Sequence, residues 1–164
     1  MTILGIDPGL ATLGWGVIRN EGHKLKLVQY GTLGTPPGAA LPHRLRSIFL
    51  GVRQLMQTYE PDEIAFEELF FAKNVTTGMA VGAARGAALA AAARRTERLY
   101  EYTPPQVKQA VTGHGGADKR QIQTMVRLLL GMAEIPRPDD AADALAVAIA
   151  HANGLRAREL YRFR

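Results

Sequence analysis

The stretch Thr2-Ile3-Leu4-Gly5-Ile6-Asp7-Pro8-Gly9 decides the fold of this chain. It is a short apolar run that ends in an acidic residue and is followed at once by a proline and a glycine. A continuous apolar run of this kind, stopped by a turn, is typical of a central strand buried on both faces of a sheet. The sequence therefore predicts a buried first strand from Thr2 to Asp7, with the carboxylate of Asp7 at its carboxyl end.

Two more strands follow the first at distances typical of hairpins. They span Gly14 to Arg19 and Leu25 to Leu33, and the turn-forming residues Asn20-Glu21-Gly22 lie between them. Strand-like segments separated by such short turns pair with their neighbours in the chain. We therefore expect three consecutive antiparallel strands.

The next segments change the direction of strand pairing. Between Leu45 and Tyr59, apolar residues recur at steps of three and four, which predicts an amphipathic helix. Pro61-Asp62 ends this helix, and Ile64-Ala65-Phe66 then forms a short apolar run that closes in Glu67-Glu68. A helix between two strands of one sheet joins them in parallel through a right-handed crossover. The fourth strand is thus expected to run parallel to the first.

The rest of the chain alternates helices with one more strand. The patterns predict a long helix from Val75 to Arg95 and a fifth strand from Leu99 to Thr103. Three more helices are predicted: one that begins at Pro104-Pro105, one that is capped by Asp118, and a last one that runs from near Asp139 to Gly154, a C′ glycine. The predicted fold class is α/β, a mixed five-stranded sheet of three antiparallel strands and then parallel strands, flanked by helices. We expect residues 1–154 to form a single domain and residues 155–164 to form a basic tail.

Composition narrows the classes of function. With 20 Lys and Arg against 15 Asp and Glu, the net charge is +5, which is compatible with a polyanionic partner without establishing one. The absence of Cys excludes disulfides, thiolate nucleophiles and Cys-ligated zinc, and the four His lack zinc-finger spacing. Any metal must therefore be held mainly by oxygen, which favours Mg²⁺, Mn²⁺ or Ca²⁺.

Nothing in the sequence predicts export or membrane insertion. The N-terminus carries no basic region before its apolar run, so no signal peptide is expected. The segment from Val75 to Ala93 is dominated by Ala and Gly and contains Arg85, which argues against a helix in lipid. We expect a cytoplasmic protein with no membrane partner.

Three predicted elements end in carboxylates at the same edge of the sheet. Asp7 and Glu67 lie at the carboxyl ends of two strands that are expected to be parallel neighbours, where ligands of open α/β sheets bind. Asp140 and Asp143 are three apart and share a face in the first turn of the last helix. Each has a simpler interpretation: Asp7 could brace a turn, Glu67 could be an exposed strand end, and Asp139 or Asp140 could cap the helix. Because three separate elements each place a carboxylate at the same edge of the sheet, a functional cluster is favoured over these separate roles.

The chemistry of such a cluster favours divalent cations. Two carboxylates about 4 Å apart repel by roughly 4 kcal/mol at an effective dielectric near 20, so without cations some of them must protonate. One or two divalent ions remove the repulsion. A pair of ions about 3.5–4 Å apart can generate hydroxide and stabilise the attacking and leaving oxygens of phosphodiester hydrolysis.

Five motifs, in order over Thr2 to His151, resemble the RuvC family of bacterial Holliday-junction resolvases. The motifs are Gly5-Ile6-Asp7-Pro8-Gly9, Phe66-Glu67-Glu68-Leu69-Phe70-Phe71-Ala72-Lys73-Asn74, Ala83-Ala84-Arg85-Gly86, Gln106-Val107-Lys108-Gln109 and Asp140-Ala141-Ala142-Asp143-Ala144-Leu145-Ala146. The resemblance implies a ribonuclease-H-like fold, a homodimer, dependence on Mg²⁺ with Mn²⁺ as a substitute, and paired symmetric nicks across a four-way DNA junction. It also places the catalytic, metal-binding carboxylates at Asp7, Glu67, Asp140 and Asp143, with two ions per subunit.

The same resemblance indicates residues that contact DNA. Phe70 matches an aromatic that stacks on an unpaired base at the junction centre, although Phe71 is its immediate neighbour. Lys108 and Lys119 match basic positions near the scissile phosphate, where either could neutralise developing charge. Weaker candidates for contacts to the DNA backbone are Lys73, Asn74, Arg85 and Arg120. Glu68 and Asp139 are extra acidic residues; we do not expect Glu68 to be a ligand, and a capping role suits Asp139.

Two further features stay open at the level of the sequence. Gly78, Gly82 and Gly86 place a smooth stripe along the long helix, which permits close approach of either the domain's own sheet or a partner subunit. The resemblance favours a subunit interface formed partly by this helix. The arginines of the tail could add nonspecific attraction to DNA, or the tail could be a frayed end.

The sequence leaves two rival functions. One is a noncatalytic protein that binds DNA junctions, and the other is an actin-like nucleotide-binding domain, suggested by Asp7-Pro8-Gly9 and the hairpin that follows. An actin-like protein needs two such domains around a cleft. The leading prediction is a metal-dependent Holliday-junction resolvase that works with a branch-migration complex.

Overall fold

The alternation of short apolar runs and helical segments produces a five-stranded mixed sheet in the computed structural model, which describes residues 1–22, 24–69, 75–154 and 157–163. The strands are β1 (Thr2–Asp7), β2 (Thr12–Asn20), β3 (Leu25–Gly34), β4 (Glu63–Glu67) and β5 (Leu99–Tyr102), in the order β3-β2-β1-β4-β5. The helices are α1 (Leu41–Tyr59), α2 (Val75–Ala93), α3 (Pro104–Thr112), α4 (Lys119–Leu129) and α5 (Asp139–Asn153), followed by a short 3₁₀ turn, Arg158–Tyr161.

The pairing of the strands confirms the predicted topology. β1 pairs antiparallel with β2 and parallel with β4, while β2 pairs antiparallel with β3 and β4 parallel with β5. The elements lie close to the predicted positions. The largest difference is at α1, which begins at Leu41 because Pro42 in its first turn starts the helix before the apolar periodicity becomes visible.

Helices cover both faces of the sheet, and each face has its own apolar core. On one face, Leu4 and Ile6 of β1 belong to a cluster with residues of α1 and α2. On the other, Ile3 belongs to a cluster built mainly by α5, α3 and α4. Because neighbouring residues of a strand point to opposite faces, β1 is buried from both sides, as its uninterrupted apolar run predicts.

Alanines and glycines bring α5 close to the sheet. Most of α5 is buried, and seven of its buried residues are Ala. A Cβ added at Gly5 would overlap the backbone of Ala144, and one added at Gly16 would lie 2.6 Å from Leu145 Cδ2. The helix therefore lies almost directly on the backbone of β1 and β2.

A buried polar network lies at the end of the sheet where β4 begins. His151 of α5 is fully buried, with its Nε2 2.7 Å from Glu63 Oε2 and its Nδ1 2.8 Å from the hydroxyl of Tyr102. The ring of Tyr100 lies 4.5 Å from the imidazole. This network joins α5 to β4 and β5 by polar contacts within an otherwise apolar layer.

Two predictions about the ends of α5 are wrong. The N-cap residue is Pro138 and no side chain caps the helix, so Asp139 is the first helical residue and its carboxylate makes other contacts. Gly154 does follow the helix, but its φ of −87° is not the left-handed conformation of a C′ glycine.

Most of the tail folds back onto the edge of the sheet. The backbone N–H of Phe163 donates to the carbonyl of Leu99, and Arg162 forms an antiparallel bridge with Tyr100. The ring of Phe163 packs edge-on against Phe66 at 5.9 Å. Residues 157–163 are therefore not a frayed end, because they cover part of the exposed edge of β5.

Of the three glycines in α2, Gly78 is buried and Gly82 is half-buried. Gly86 is exposed, and a Cβ there would meet nothing within 4 Å, so this position does not serve contact with the protein's own sheet. The side of α2 that packs inward uses alanines, including Ala84, Ala88 and Ala92. In the described part of the chain, no helix combines the length and apolar character that crossing a membrane would require.

Candidate active site

Asp7 and Glu67 are brought together by the parallel pairing of β1 and β4. Ile6 pairs with Phe66, so the two carboxylates follow one another at the carboxyl ends of adjacent strands. Their side chains share a hydrogen bond. This is the arrangement that the two apolar runs predict, each of them closing in an acidic residue.

The first turn of α5 reaches Asp7 because Gly14 has no side chain. Gly14 pairs with Asp7 across the β1–β2 ladder, and a Cβ at this position would overlap the backbone carbonyl of Asp140. The helix therefore approaches β2 at the level of Asp7. The negative charges of Asp140 and Asp143, like that of Glu67, consequently raise the pKa of Asp7.

Burial and mutual repulsion hold protons on this cluster. Burial, followed by the charges of Glu67, Asp143 and Asp140, raises the pKa of Asp7 to about 8. Burial also raises the pKa of Glu67 and of Asp143 above their usual values. Without cations the site thus retains at least one proton near neutral pH, which Asp7 donates to Glu67.

Two lysines border the carboxylates. Lys119, the first residue of α4, places its Nζ 3.2 Å from Asp143 Oδ2 and 3.3 Å from Asp139 Oδ2. Burial lowers the pKa of Lys119, but Asp143 and Asp139 outweigh it, and the net pKa is raised. A cavity of about 220 Å³ opens at this point and is lined by Glu67, Pro104, Val107, Lys108, Lys119, Ile122, Asp143 and Ala146. The predicted basic residues Lys108 and Lys119 therefore share a cavity with two of the predicted carboxylates.

The donor set fits hard divalent cations. Every charged acceptor in the cluster is a carboxylate oxygen, which Mg²⁺ and Mn²⁺ prefer. In the described ranges no three His, Asp or Glu side chains converge closely enough to form a ready metal cage. The Asp7–Glu67 hydrogen bond and the Lys119–Asp143 ion pair occupy the oxygens instead. A divalent cation bound here would displace the proton shared by Asp7 and Glu67. Its positive charge would also weaken the ion pair between Lys119 and Asp143.

The remaining predicted DNA contacts are scattered. Phe70, Lys73 and Asn74 lie outside the described residues. Arg120 is exposed and lines a second cavity of about 460 Å³ with Thr112, His114, Ala117, Asp118, Gln121, Thr124 and Met125. Arg85 is engaged within the chain: it forms an ion pair with Glu101, and its guanidinium carbon lies 5.1 Å from the ring centroid of Phe163.

Sequence reasoning missed two parts of the site. The strand pattern predicts only that Gly14 begins a strand, although a glycine opposite a strand-end aspartate is a signal that another backbone approaches closely. The predicted capping role of Asp139 is wrong, because its carboxylate contacts Lys119, Arg137 and Gln123. The local sequence could not show the contacts of Asp139 to Lys119 and Gln123, because these two residues belong to another helix.

Comparison with known proteins decides the family. Residues 3–151 match the family model described as crossover junction endodeoxyribonuclease RuvC. The chain belongs to the RuvC family. It is 60% identical over 150 residues to the crossover junction endodeoxyribonuclease RuvC of Rubrobacter xylanophilus, covering 92% of this chain and 84% of that protein. It is 58% identical over 152 residues to the RuvC of Chloroflexus aggregans, covering 93% of each.

Solved RuvC structures confirm the fold. The Thermus thermophilus RuvC structure superposes with a TM-score of 0.88 at 40% identity, covering 95% of this chain and 96% of that one. T. thermophilus RuvC in complex with a Holliday junction substrate superposes with a TM-score of 0.90, also at 40% identity, covering 95% of each chain. The yeast mitochondrial resolvase Ydc2, at 15% identity and a TM-score of 0.68, shares the fold. RuvC enzymes are metal-dependent nucleases, in keeping with the all-oxygen carboxylate cluster.

Proposed function

We propose that this protein is a Holliday-junction resolvase that makes paired symmetric nicks in four-way DNA junctions during recombination and repair. The observation that carries the proposal is the pair Asp7 and Glu67 on adjacent strand ends, with Asp140 and Asp143 near enough to act on Asp7 by their charges. Lys108 and Lys119 line the cavity beside Glu67 and Asp143. A relative with 40% identity over nearly the whole chain has been solved with a Holliday junction substrate, which supports the same substrate here. The matched RuvC relatives come from bacteria, whose chromosome lies in the cytoplasm, so a DNA substrate would place this protein there.

The four carboxylates would hold two Mg²⁺ ions per subunit, with Mn²⁺ as a substitute. When bound, such ions activate water for in-line attack and stabilise the attacking and leaving oxygens of the phosphodiester. The protein's own part is to hold Asp7 and Glu67 on rigid strand ends and Asp140 and Asp143 on a buried helix. This rigidity keeps the carboxylate oxygens in place during the reaction.

The lysines would act on the phosphate. Lys108 and Lys119 line the same cavity as Glu67 and Asp143, so a scissile phosphate bound there would lie close to both ammonium groups. Positive charge at this position stabilises the additional negative charge of the transition state. The products would be a 3′-hydroxyl and a 5′-phosphate, which a ligase can reseal.

Two copies of the site are needed for symmetric cutting. We propose a two-fold homodimer, in which each subunit cuts one of two opposing strands. The exposed Gly86 on α2 is available for such a contact. The enzyme would act together with a branch-migration complex that moves the junction.

A cleavage assay on a synthetic mobile four-way junction tests the proposal. Wild-type protein is incubated with Mg²⁺, with Mn²⁺ or with EDTA, beside the variants Asp7→Asn, Glu67→Gln, Asp140→Asn and Asp143→Asn. We expect paired nicks with either metal, none with EDTA, and variants that bind the junction tightly without cutting it. Junction binding without any cutting by the wild type would instead establish a noncatalytic junction-binding protein. Nicking that survives in EDTA or in Asp143→Asn would show that the metal assignment is wrong.

A further inference from the structure

Lys119 lies between two carboxylates of α5 that have different positions relative to the cavity. Its Nζ is 3.2 Å from Asp143 Oδ2 and 3.3 Å from Asp139 Oδ2. Asp143 lines the active-site cavity, whereas Asp139 is not among the residues that line it. The ammonium is therefore shared between a proposed metal ligand and a carboxylate beside it.

Asp139 is itself held in place by two other side chains. Its Oδ1 accepts hydrogen bonds from Arg137 Nη1 at 2.6 Å and from Gln123 Nε2 at 3.0 Å, which leaves Oδ2 directed at Lys119. Gln123 is buried, with 6% of its surface exposed, so its amide is a fixed donor. A carboxylate with both oxygens engaged in this way has little freedom to turn.

The two contacts of Lys119 have different consequences once cations bind. A divalent ion on Asp143 weakens the attraction between Asp143 and the ammonium, because the ion neutralises that carboxylate. The contact to Asp139 is unaffected and retains the ammonium at the rim of the cavity. Without Asp139, the ammonium of Lys119 would lie fully on Asp143, its other carboxylate partner, where it would compete with the ion.

We propose that Asp139 is a positioning residue that holds the ammonium of Lys119 at the cavity rim, facing the scissile phosphate and away from full pairing with Asp143. The proposal rests on the nuclease function proposed above. The simpler role for Asp139 is an exposed ion pair that joins α4 to α5, and such pairs contribute about 0–1 kcal/mol to stability. The two roles differ in whether the effect of Asp139 depends on Lys119.

A double-mutant cycle distinguishes them. The proteins are wild type, Asp139→Asn, Lys119→Met and the double variant, with Asp139→Glu as the conservative rescue. Glu60→Gln is the matched control, because Glu60, just after α1, also forms an exposed ion pair, with Arg95 just after α2 at 2.8 Å, and is not part of the site. Melting temperatures establish that each variant is folded.

The first measurement is single-turnover nicking of the junction at saturating Mg²⁺, with junction affinity measured in EDTA. We expect Asp139→Asn to slow nicking by about 10-fold or more, the usual effect of removing a residue that orients a residue of the active site. The affinity of this variant for the junction should stay within about twofold of the wild-type affinity. Asp139→Glu should recover most of the rate, and Glu60→Gln should match wild type. In the Lys119→Met background the Asp139→Asn change should have no further effect, since the residue acts through the lysine.

The second measurement is Mn²⁺ affinity of the protein alone, by titration with detection of free Mn²⁺ by electron paramagnetic resonance. We expect Asp139→Asn to weaken Mn²⁺ binding several-fold in the wild-type background and not in the Lys119→Met background. An equal loss in both backgrounds, in nicking or in Mn²⁺ affinity, would overturn the proposal by showing that Asp139 acts only through its own charge. A wild-type protein that does not nick junctions would refute the proposed function, while the Mn²⁺ cycle would still test the link between Asp139 and Lys119.

Discussion

The backbone of Asp140 packs directly on Gly14, and no other residue at position 14 would leave room for it. Gly14 is the cross-strand partner of Asp7, so this contact sets the distance between the strand that carries one carboxylate and the helix that carries two. The acidic cluster depends on a missing side chain as much as on the acidic residues.

Replacing Gly14 by Ala tests this dependence. The added Cβ would overlap the Asp140 carbonyl, which is backbone and cannot rotate away, so α5 must move outward at its first turn. We expect the nicking rate to fall by about 100-fold, because a misplacement of about 1 Å in a catalytic site has an effect of this size. Single-turnover nicking of a four-way junction measures it.

Gly34→Ala is the matched control for that substitution. Gly34 also lies in the antiparallel part of the sheet, and a Cβ there would meet nothing within 4 Å. We expect its nicking rate to equal that of wild type. A Gly14→Ala protein that is folded and fully active would show that α5 does not need this contact.

Cation binding should release a proton. The pKa of Asp7 is raised to about 8, so most molecules carry this proton at neutral pH, and a ligand carboxylate must lose it. We expect Mg²⁺ affinity to rise with pH by up to about tenfold per unit and to level off above about pH 8. Calorimetric titrations in buffers with different ionisation enthalpies count the protons released. The Asp7→Asn protein should release fewer, and an equal number in both would contradict the assignment.

The same carboxyl should make the metal-free protein less stable at high pH. A group whose pKa is higher in the folded than in the unfolded protein binds more protons when folded, so the free energy of unfolding falls as pH rises from about 4 to about 8. We expect Asp7→Asn to melt about 5 °C above wild type in EDTA near pH 8, and to match it below about pH 4. Thermal melts followed by circular dichroism measure this. Added Mg²⁺ should raise the melting temperature of wild type by more than that of Asp7→Asn, which has lost one of the proposed ligands.

The buried network around His151 should matter for stability and not for chemistry. Glu63 lies at the opposite end of β4 from Glu67, and its Oε2 contacts His151 Nε2 at 2.7 Å. We expect Glu63→Ala to destabilise the protein by about 3 kcal/mol, since it removes one hydrogen-bond partner from a buried polar network. Urea unfolding measures the change, and Glu63→Gln, which keeps an acceptor, should lose less. The nicking rate of folded Glu63→Gln should equal that of wild type.

Arg85 should stabilise the fold and should not contact DNA. Its guanidinium is engaged by Glu101 and by the ring of Phe163, which ties α2 to β5 and to the C-terminal segment. We expect Arg85→Gln to lower the melting temperature by a few degrees and to leave the salt dependence of junction binding unchanged. The comparison is Arg120→Gln, whose arginine is exposed. A slope of log affinity against log salt that falls by about 0.9 in Arg85→Gln would show a phosphate contact at this residue.

Local patterns in the sequence were sufficient to predict the directions of the strands and the pairing of the first four. The apolar run before Asp7 and the run before Glu67 are each buried on both faces, and only a parallel arrangement around α1 connects them with the right hand. Because both runs close in an acidic residue, pairing the strands in parallel also pairs the carboxylates. The choice of Asp7, Glu67, Asp140 and Asp143 as the site followed from that geometry and from the motifs they lie in.

The tertiary structure alone decided which contacts those side chains make. Asp139 pairs with Lys119 and not with its own helix end, and Arg85 is turned inward by Glu101 and Phe163. Hydrophobic periodicity is a property of residues a few positions apart in one segment, and it determines which face of that segment is buried. The partner of a charged side chain is set by distances of a few ångströms between segments far apart in the chain, which only the packed fold defines.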